Sequence, residues 1–213
     1  GGVTAEILAQ AGLNVIIIEE GPLRTSSDFQ MREAEAYPTL YQESAARKTA
    51  DKAINIMQGR CVGGSTTVNW TSSFRTPPET LNWWQTAHGL KSLSVEAMAP
   101  WIAQMERRLN VNPWHLPPNE NNAVLARGAE KLGIPVAIIP RNVEDCWNLG
   151  YCGMGCPANA KQSMLVSTIP AALAGGAELI HKLHVAKLLL DGGQVAGLEG
   201  MALDANAKQQ TGI

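Results

Sequence analysis

The apolar positions near the start of the chain change period once. Val3, Ile7 and Ala11 recur one helical turn apart with Leu8 beside them, which predicts a short helix ending before Gly12. Asn14-Val15-Ile16-Ile17-Ile18 then runs apolar without alternation and is too short for a helix. It predicts a buried parallel strand, ending in the pair Glu19-Glu20 and the stop Gly21-Pro22. Residues 24–57 are mixed and polar, with weak helical periodicity over 28–52, and read as an excursion outside the core. Trp101, Met105 and Leu109 repeat at four and predict an amphipathic helix over 100–109. Residues 112–119 read as a linker, 123–132 as a helix stopped by Gly133, and 136–139 as a short strand. The last third predicts a helix over 168–173 and strands over 178–180, 184–190 and 195–198. The last two strands are joined by the hairpin signal Asp191-Gly192-Gly193.

Helix, tight turn, strand and terminal acid form the second half of a dinucleotide-binding unit, whose acid receives hydrogen bonds from ribose hydroxyls. Glu19 follows Gly1 by eighteen residues, close to the usual interval of about 20. The first strand and the first two glycines of G-x-G-x-x-G would precede residue 1, so the sequence reads as part of a longer chain. A solvated acid is the other reading of Glu19 and the main reading of Glu20. The fold class is therefore α/β: a Rossmann-like domain with a parallel sheet, its first strand missing, and a mostly helical insertion. The expected division is 1–75 as the first part of the nucleotide domain, 76–157 as insertion, lid and cysteine-rich loop, and 158–213 as the returning part.

Within that frame Gly59-Arg60-Cys61-Val62-Gly63-Gly64-Ser65-Thr66-Thr67-Val68-Asn69 has little side-chain bulk and many backbone and hydroxyl groups. Such a stretch suits close approach of a flat or phosphorylated ligand; the alternative is a plain Gly/Ser loop. At 45% hydrophobic, the 213 residues suffice for one sizeable core, and a net charge of −2 gives no footprint for nucleic acid. No apolar run approaches the roughly 20 residues that span a bilayer. Five of the six Trp, at 70, 83, 84, 101 and 114, fall close together, as either a lined cavity or ordinary core. His88 beside Trp83-Trp84 reads as structural before catalytic. His181 and His184 are spaced to face opposite sides of a strand, which argues against a shared metal.

Cys146, Cys152 and Cys156-Pro157 form a C-x5-C-x3-C-P arrangement rich in glycine. Three readings stand side by side: thiolates converging on an iron-sulfur cluster, a disulfide with one thiol left over, or a compact turn without metal.

Taken together, these segments resemble the glucose/methanol/choline family of flavin oxidoreductases. Gly1-Gly2 and Glu19 look like the end of its FAD-binding ADP unit. Gly59-Arg60-x-Val62-Gly63-Gly64-Ser65-Thr66-x-Val68-Asn69 is very similar to its first signature, whose glycines pass the pyrophosphate and whose continuation through Asn69, Trp70 and Thr71 runs beside the isoalloxazine. Lys161-x-Ser163 through 184–188 to Gly197-Leu198-Glu199 looks like the return to the FAD domain, where the residue matching Val185 meets adenine through its backbone. The Cys/Gly segment looks most like the long-chain alcohol oxidases and the bacterial FAD sugar dehydrogenases, and in the latter a similar spacing holds a cluster.

The resemblance implies an enzyme that oxidises CH–OH groups of a small alcohol or sugar, with hydride passing to flavin N5 and FAD held non-covalently, since the tethering position just before Asn69 is Val68. The cysteines favour a dehydrogenase that passes electrons to a cytochrome or quinone. The family's base, a His with a His or Asn partner, matches none of His88, His115, His181 or His184, so no catalytic residue is named and this stretch alone is not expected to turn over substrate. A flavin-dependent lyase or isomerase on the same scaffold, or a non-redox nucleotide fold, are the alternatives.

Overall fold

The computed structural model describes residues 1–204 and the backbone of 209–212. The chain divides into two compact units: Gly1–Trp70 with the chain from Asp145 onward, and Thr71–Glu144. The cysteine-bearing segment, grouped with the insertion on sequence grounds, thus packs within the first unit.

In the first unit α1 (Gly2–Gln10) leads into β1 (Ile16–Glu19), with Gly12 at φ +80° making the turn between them. β1 pairs in parallel with β4 (Glu178–His181), Ile16 opposite Glu178 and Glu19 opposite His181. α7 (Thr168–Ala174) packs on α1 through Ala5, Ala9 and Ala172, and Ala177 just beyond α7 joins the cluster, with Val15 and Ile17 packed against it. These small side chains let the helices approach closely; a Cβ on Gly175 would sit 3.2 Å from that of Ala9. The strand expected to be buried is only half covered. Ile16 is 58% exposed, because among the described residues β4 is the only sheet neighbour of β1.

Residues 24–57 are not an excursion. A 3-10 turn (Ser26–Asp28) and α2 (Glu33–Leu40) deliver Phe29, Ala36, Leu40 and Tyr41 into a cluster with Cys61, Val68 and Met154. Burial of a side chain such as Leu40 contributes about 2 kcal/mol. The glycine stretch lies against this cluster and ends in the single turn α3 (Ser65–Val68). Near the C-terminal end, β5 (Leu183–Asp191) and β6 (Gln194–Leu203) form the expected hairpin about Gly192 and Gly193, at φ +55° and +81°. A strand not anticipated, β7 (Gln209–Gly212), pairs with β6.

The second unit holds α4 (Pro78–His88), α5 (Val95–Arg108), β2 (Val111–Pro113), α6 (Glu120–Lys131) and β3 (Pro140–Asn142). Side chains cap α5 and α6: Ser94 Oγ accepts from the Ala97 N–H at 3.1 Å and Asn119 Oδ1 from the Asn122 N–H at 2.9 Å. β2 and β3 pair antiparallel. The strand expected over 136–139 is irregular and exposed instead, and pairing begins at Pro140 where Pro113 supplies the partner. Nor do the Trp residues form core: Trp83 and Trp101 are 56% and 63% exposed. His88 stands edge-on to Trp83, ring centroids 4.6 Å apart. Among the described residues no helix is long and apolar enough to cross a membrane.

Candidate cofactor-binding site

The glycine stretch is held from both sides by backbone. The Arg60 N–H donates to the Leu40 carbonyl at 2.7 Å and the Val62 N–H to that of Pro22 at 3.0 Å. Gly21 lies so close that a Cβ there would fall 2.1 Å from the Arg60 oxygen. At Gly63 (φ +90°) and Gly64 (φ +57°) the chain reverses into α3. The Gly59 N–H donates to Ser65 Oγ at 3.0 Å across this turn. Its glycines divide into two kinds. Side chains on Gly59 and Gly63 would strike Gly64 backbone at 2.6 Å and Thr67 Oγ1 at 2.4 Å, whereas one on Gly64 would meet nothing within 4 Å. Gly59 and Gly63 therefore serve internal packing, while Gly64 leaves backbone open to a visitor.

The same division holds at α1. Gly1 is its N-cap, without a side-chain cap, and faces open space, while Gly2 lies against Met164 and Thr168. Residues 163–168 join the two glycine sites, because the Met164 N–H also donates to Thr66 Oγ1 at 2.9 Å and that hydroxyl donates to the Gly63 carbonyl at 2.6 Å. Two helix starts, both without side-chain caps and both with an unobstructed glycine, are a donor set suited to a diphosphate.

At the end of β1, Glu19 is partly buried and its Oε1 accepts the Gly21 N–H at 2.8 Å. Burial raises its pKa, against the lowering effect of that hydrogen bond. Glu20, read as solvated, is instead a tie. Its Oε1 receives Arg60 Nε at 2.9 Å and its Oε2 lies 3.4 Å from His184 Nδ1. Arg60 is thereby fixed beside β1, and Val185, next to His184, is placed near the same edge at a β-bulge opposite Gly200. Glu20→Gln is expected to cost about 1 kcal/mol, since Arg60 is mostly sheltered while Glu20 is partly exposed; the denaturation midpoint reads it.

Beyond α3, Trp70 is half exposed and its indole lies against Gly153, 3.3 Å from where a Cβ would stand. Thr71 belongs to the second unit, has φ +64° and is 1% exposed.

One residue that carried the resemblance without a role of its own lies beneath this segment. Lys161 is 3% exposed, and its Nζ donates to the carbonyls of Thr67 (2.5 Å), Asn69 (3.0 Å) and Cys152 (2.7 Å). Burial pushes its pKa down to about 8, partly offset by Cys152, Cys156 and Cys61. Tyr41 stands near it: its hydroxyl donates to the Gly153 carbonyl at 2.6 Å and reaches that of Val68 at 3.4 Å, and burial raises its pKa to about 12.

The iron-sulfur expectation does not fit. Among the described residues no three His, Cys, Asp or Glu side chains gather to hold a metal, and no disulfide joins Cys146, Cys152 or Cys156. The backbone has other duties here: the 3-10 turn Cys152–Met154 spends its carbonyls on Lys161 and Tyr41 and sends Met154 into the core. Cys146 Sγ accepts the Asn148 N–H at 3.4 Å.

Long-chain-alcohol oxidase FAO1 of Arabidopsis thaliana is 30% identical over 212 residues, all of this chain and 27% of its own length. An uncharacterized GMC-type oxidoreductase of Mycobacterium tuberculosis (strain ATCC 25618 / H37Rv) is 32% identical over 215 residues, 97% of this chain and 34% of its own. The chain thus spans about a third or less of these curated relatives. Among solved structures, pyridoxine 4-oxidase from Mesorbium loti superposes with a TM-score of 0.63 at 17% identity, over 95% of this chain and 44% of that one. Formate oxidase gives 0.62 at 12%, over 94% and 40%; both show a shared fold. The family profile described as GMC oxidoreductase matches residues 37–212, and the chain belongs to the glucose/methanol/choline (GMC) oxidoreductases, a family of FAD-dependent enzymes.

Proposed function

We propose that this chain holds FAD, non-covalently, within an oxidoreductase acting on CH–OH groups of a small alcohol or sugar. The observation that carries the reading is the turn at Gly63-Gly64, open at Gly64 and tied through Met164 to the uncapped start of α1. Gly1, Gly2, Gly63 and Ser65 would present backbone donors to the diphosphate, which passes the open Gly64, whose own N–H is given to the Cys61 carbonyl at 2.7 Å, and Glu19 would accept from ribose hydroxyls. Gly59 and Arg60 hold the stretch in place, the latter through Glu20. Asn69, Trp70 and the Thr71 backbone would flank the ring system, and the Val185 backbone the adenine. Val68 is buried and has no nitrogen for a covalent tether. Bound FAD supplies the acceptor for hydride leaving a donor's carbinol carbon.

The case for a cytochrome or quinone acceptor rested on the cysteines, whose placement gives it no support. Relatives named as oxidases make oxygen the first acceptor to try. The test is a visible spectrum of the purified protein, before and after acid precipitation, then with long-chain alcohols or sugars added without air. Oxidised-flavin bands released by acid and bleached by an alcohol are the expected result. Flavin that substrates never reduce would favour the lyase or isomerase reading. A colourless protein that FAD does not reconstitute would overturn the proposal.

A further inference from the structure

The last carbonyls of a helix have no partner in their own helix, and α3, one turn long, pairs its Ser65 carbonyl with the Asn69 N–H and leaves those of Thr67 and Val68 to other donors within the core. Thr67 and Val68 are 1% and 4% exposed, so water is not the donor that reaches their side. Two buried side chains take the place of water. Lys161 spans from the Thr67 and Asn69 carbonyls to that of Cys152, and Tyr41 spans from the Val68 carbonyl to that of Gly153. Each donor thus bridges the same two backbone segments, 67–69 and 152–153, from a third and a fourth place in the chain.

The stoichiometry is specific. An ammonium has three N–H groups, and three carbonyls receive them. A guanidinium is planar and cannot aim three donors from one atom, and an apolar chain of the same length would leave three buried acceptors unmet. Gly153 completes the arrangement. Its missing side chain is where the Trp70 indole lies, so the turn that Lys161 and Tyr41 grip also supports the next residue of the segment.

We propose that Lys161 and Tyr41 form a buried clamp that sets the backbone of residues 67–70 against the Cys152–Gly153 turn, making Lys161 a positioning residue for the cofactor-facing segment. The cysteine-rich loop is then a buttress. Its glycines and tight turn serve backbone approach, and its carbonyls, not its thiols, do the binding. The link to the cofactor rests on the FAD reading above; the clamp itself does not.

Two readouts keep these apart. Amide hydrogen exchange needs no flavin: in Lys161→Met, exchange at the Asn69 N–H, which donates to the Ser65 carbonyl, and at the Met154 N–H, which donates to that of Tyr151, is expected to speed up at least tenfold relative to the parent. Unchanged exchange at both overturns the clamp. In the flavin-loaded protein, Lys161→Met is expected to weaken FAD retention at least tenfold and alter the flavin absorption envelope, with Lys161→Arg restoring only part of either. A folded Lys161→Met with parental affinity and spectrum overturns the positioning role. Should Lys161→Met not fold, Tyr41→Phe removes a single hydroxyl and is expected to weaken FAD retention about threefold and speed Met154 exchange; parental values for both overturn the proposal. A parent that binds no FAD defeats the FAD reading and with it the positioning role, while exchange still decides the clamp.

Discussion

Replacing Gly21 with alanine is expected to cost about 4 kcal/mol or more, enough to unfold a domain of ordinary stability. The added methyl would lie 2.1 Å from the Arg60 oxygen, 2.3 Å from its carbonyl carbon and 2.5 Å from the Cys61 nitrogen. All three are backbone atoms, so no rotamer change relieves the overlap. The segment cannot retreat either, because Arg60 and Val62 are hydrogen-bonded to Leu40 and Pro22 on either side. Gly64→Ala is the informative contrast. Its methyl would enter open space, and the penalty there is conformational, about 1–3 kcal/mol for a side chain at φ +57° and ψ −145°. Denaturant midpoints of the two variants test the difference, and equal losses would refute the packing account of Gly21. Gly64→Ala is also expected to shed flavin out of proportion to its lost stability.

The second large effect is a rise in stability on the alkaline side, by up to about 3 kcal/mol between pH 8 and 10.5. Lys161 titrates near 8 in the folded chain and near 10.5 when solvated. Within that window the unfolded chain binds the proton and the folded chain does not, so raising the pH favours the folded state. The gain is complete above the unfolded value and is lost as pH falls through the folded one. The neighbouring ionisable groups are the thiols of Cys152, Cys156 and Cys61, and the last is itself pushed up to about 12 by burial. Denaturation of the parent and of Lys161→Met across pH 7–11 isolates the contribution. A parent and a Lys161→Met variant with the same slope would remove it. At neutral pH the protein therefore retains a charge that costs stability, consistent with a part played by its three donors.

Much of this was legible in the residues. A change of period from 3.6 to an unbroken apolar run located α1 and β1, and two glycines before hydroxyl residues marked the turn that the structure leaves open at Gly64. The core contributed by residues 29–41 was not legible, because Phe29, Ala36, Leu40 and Tyr41 come from a loop, a helix and an isolated bridge and share no single period. Cysteine spacing misled for a related reason. It records how close thiols are along the chain, while their directions depend on a backbone turn fixed by Lys161 and Tyr41 from elsewhere. Lys161 itself was hidden by its type, since lysine reads as surface unless something shows what would receive its charge. Glu20 reads as solvated for the same reason, its partner Arg60 lying forty residues on.

The way the second unit leaves and rejoins the first bears on how the chain folds. Residues 71–144 separate Trp70 from Asp145, and closing a flexible loop of that length costs about 4 kcal/mol of chain entropy. The loop ties its own ends, however. The Asn142 N–H donates to the Thr71 carbonyl at 3.2 Å, the Ser73 N–H to that of Pro140 at 2.9 Å, and Ser72 bridges to Arg141. Once these bonds form, the two ends of the second unit are joined, and the bonds from Tyr41 to Gly153 and from Lys161 to Thr67 no longer span a disordered excursion. The unit that interrupts the nucleotide domain is thus also the staple that shortens its search.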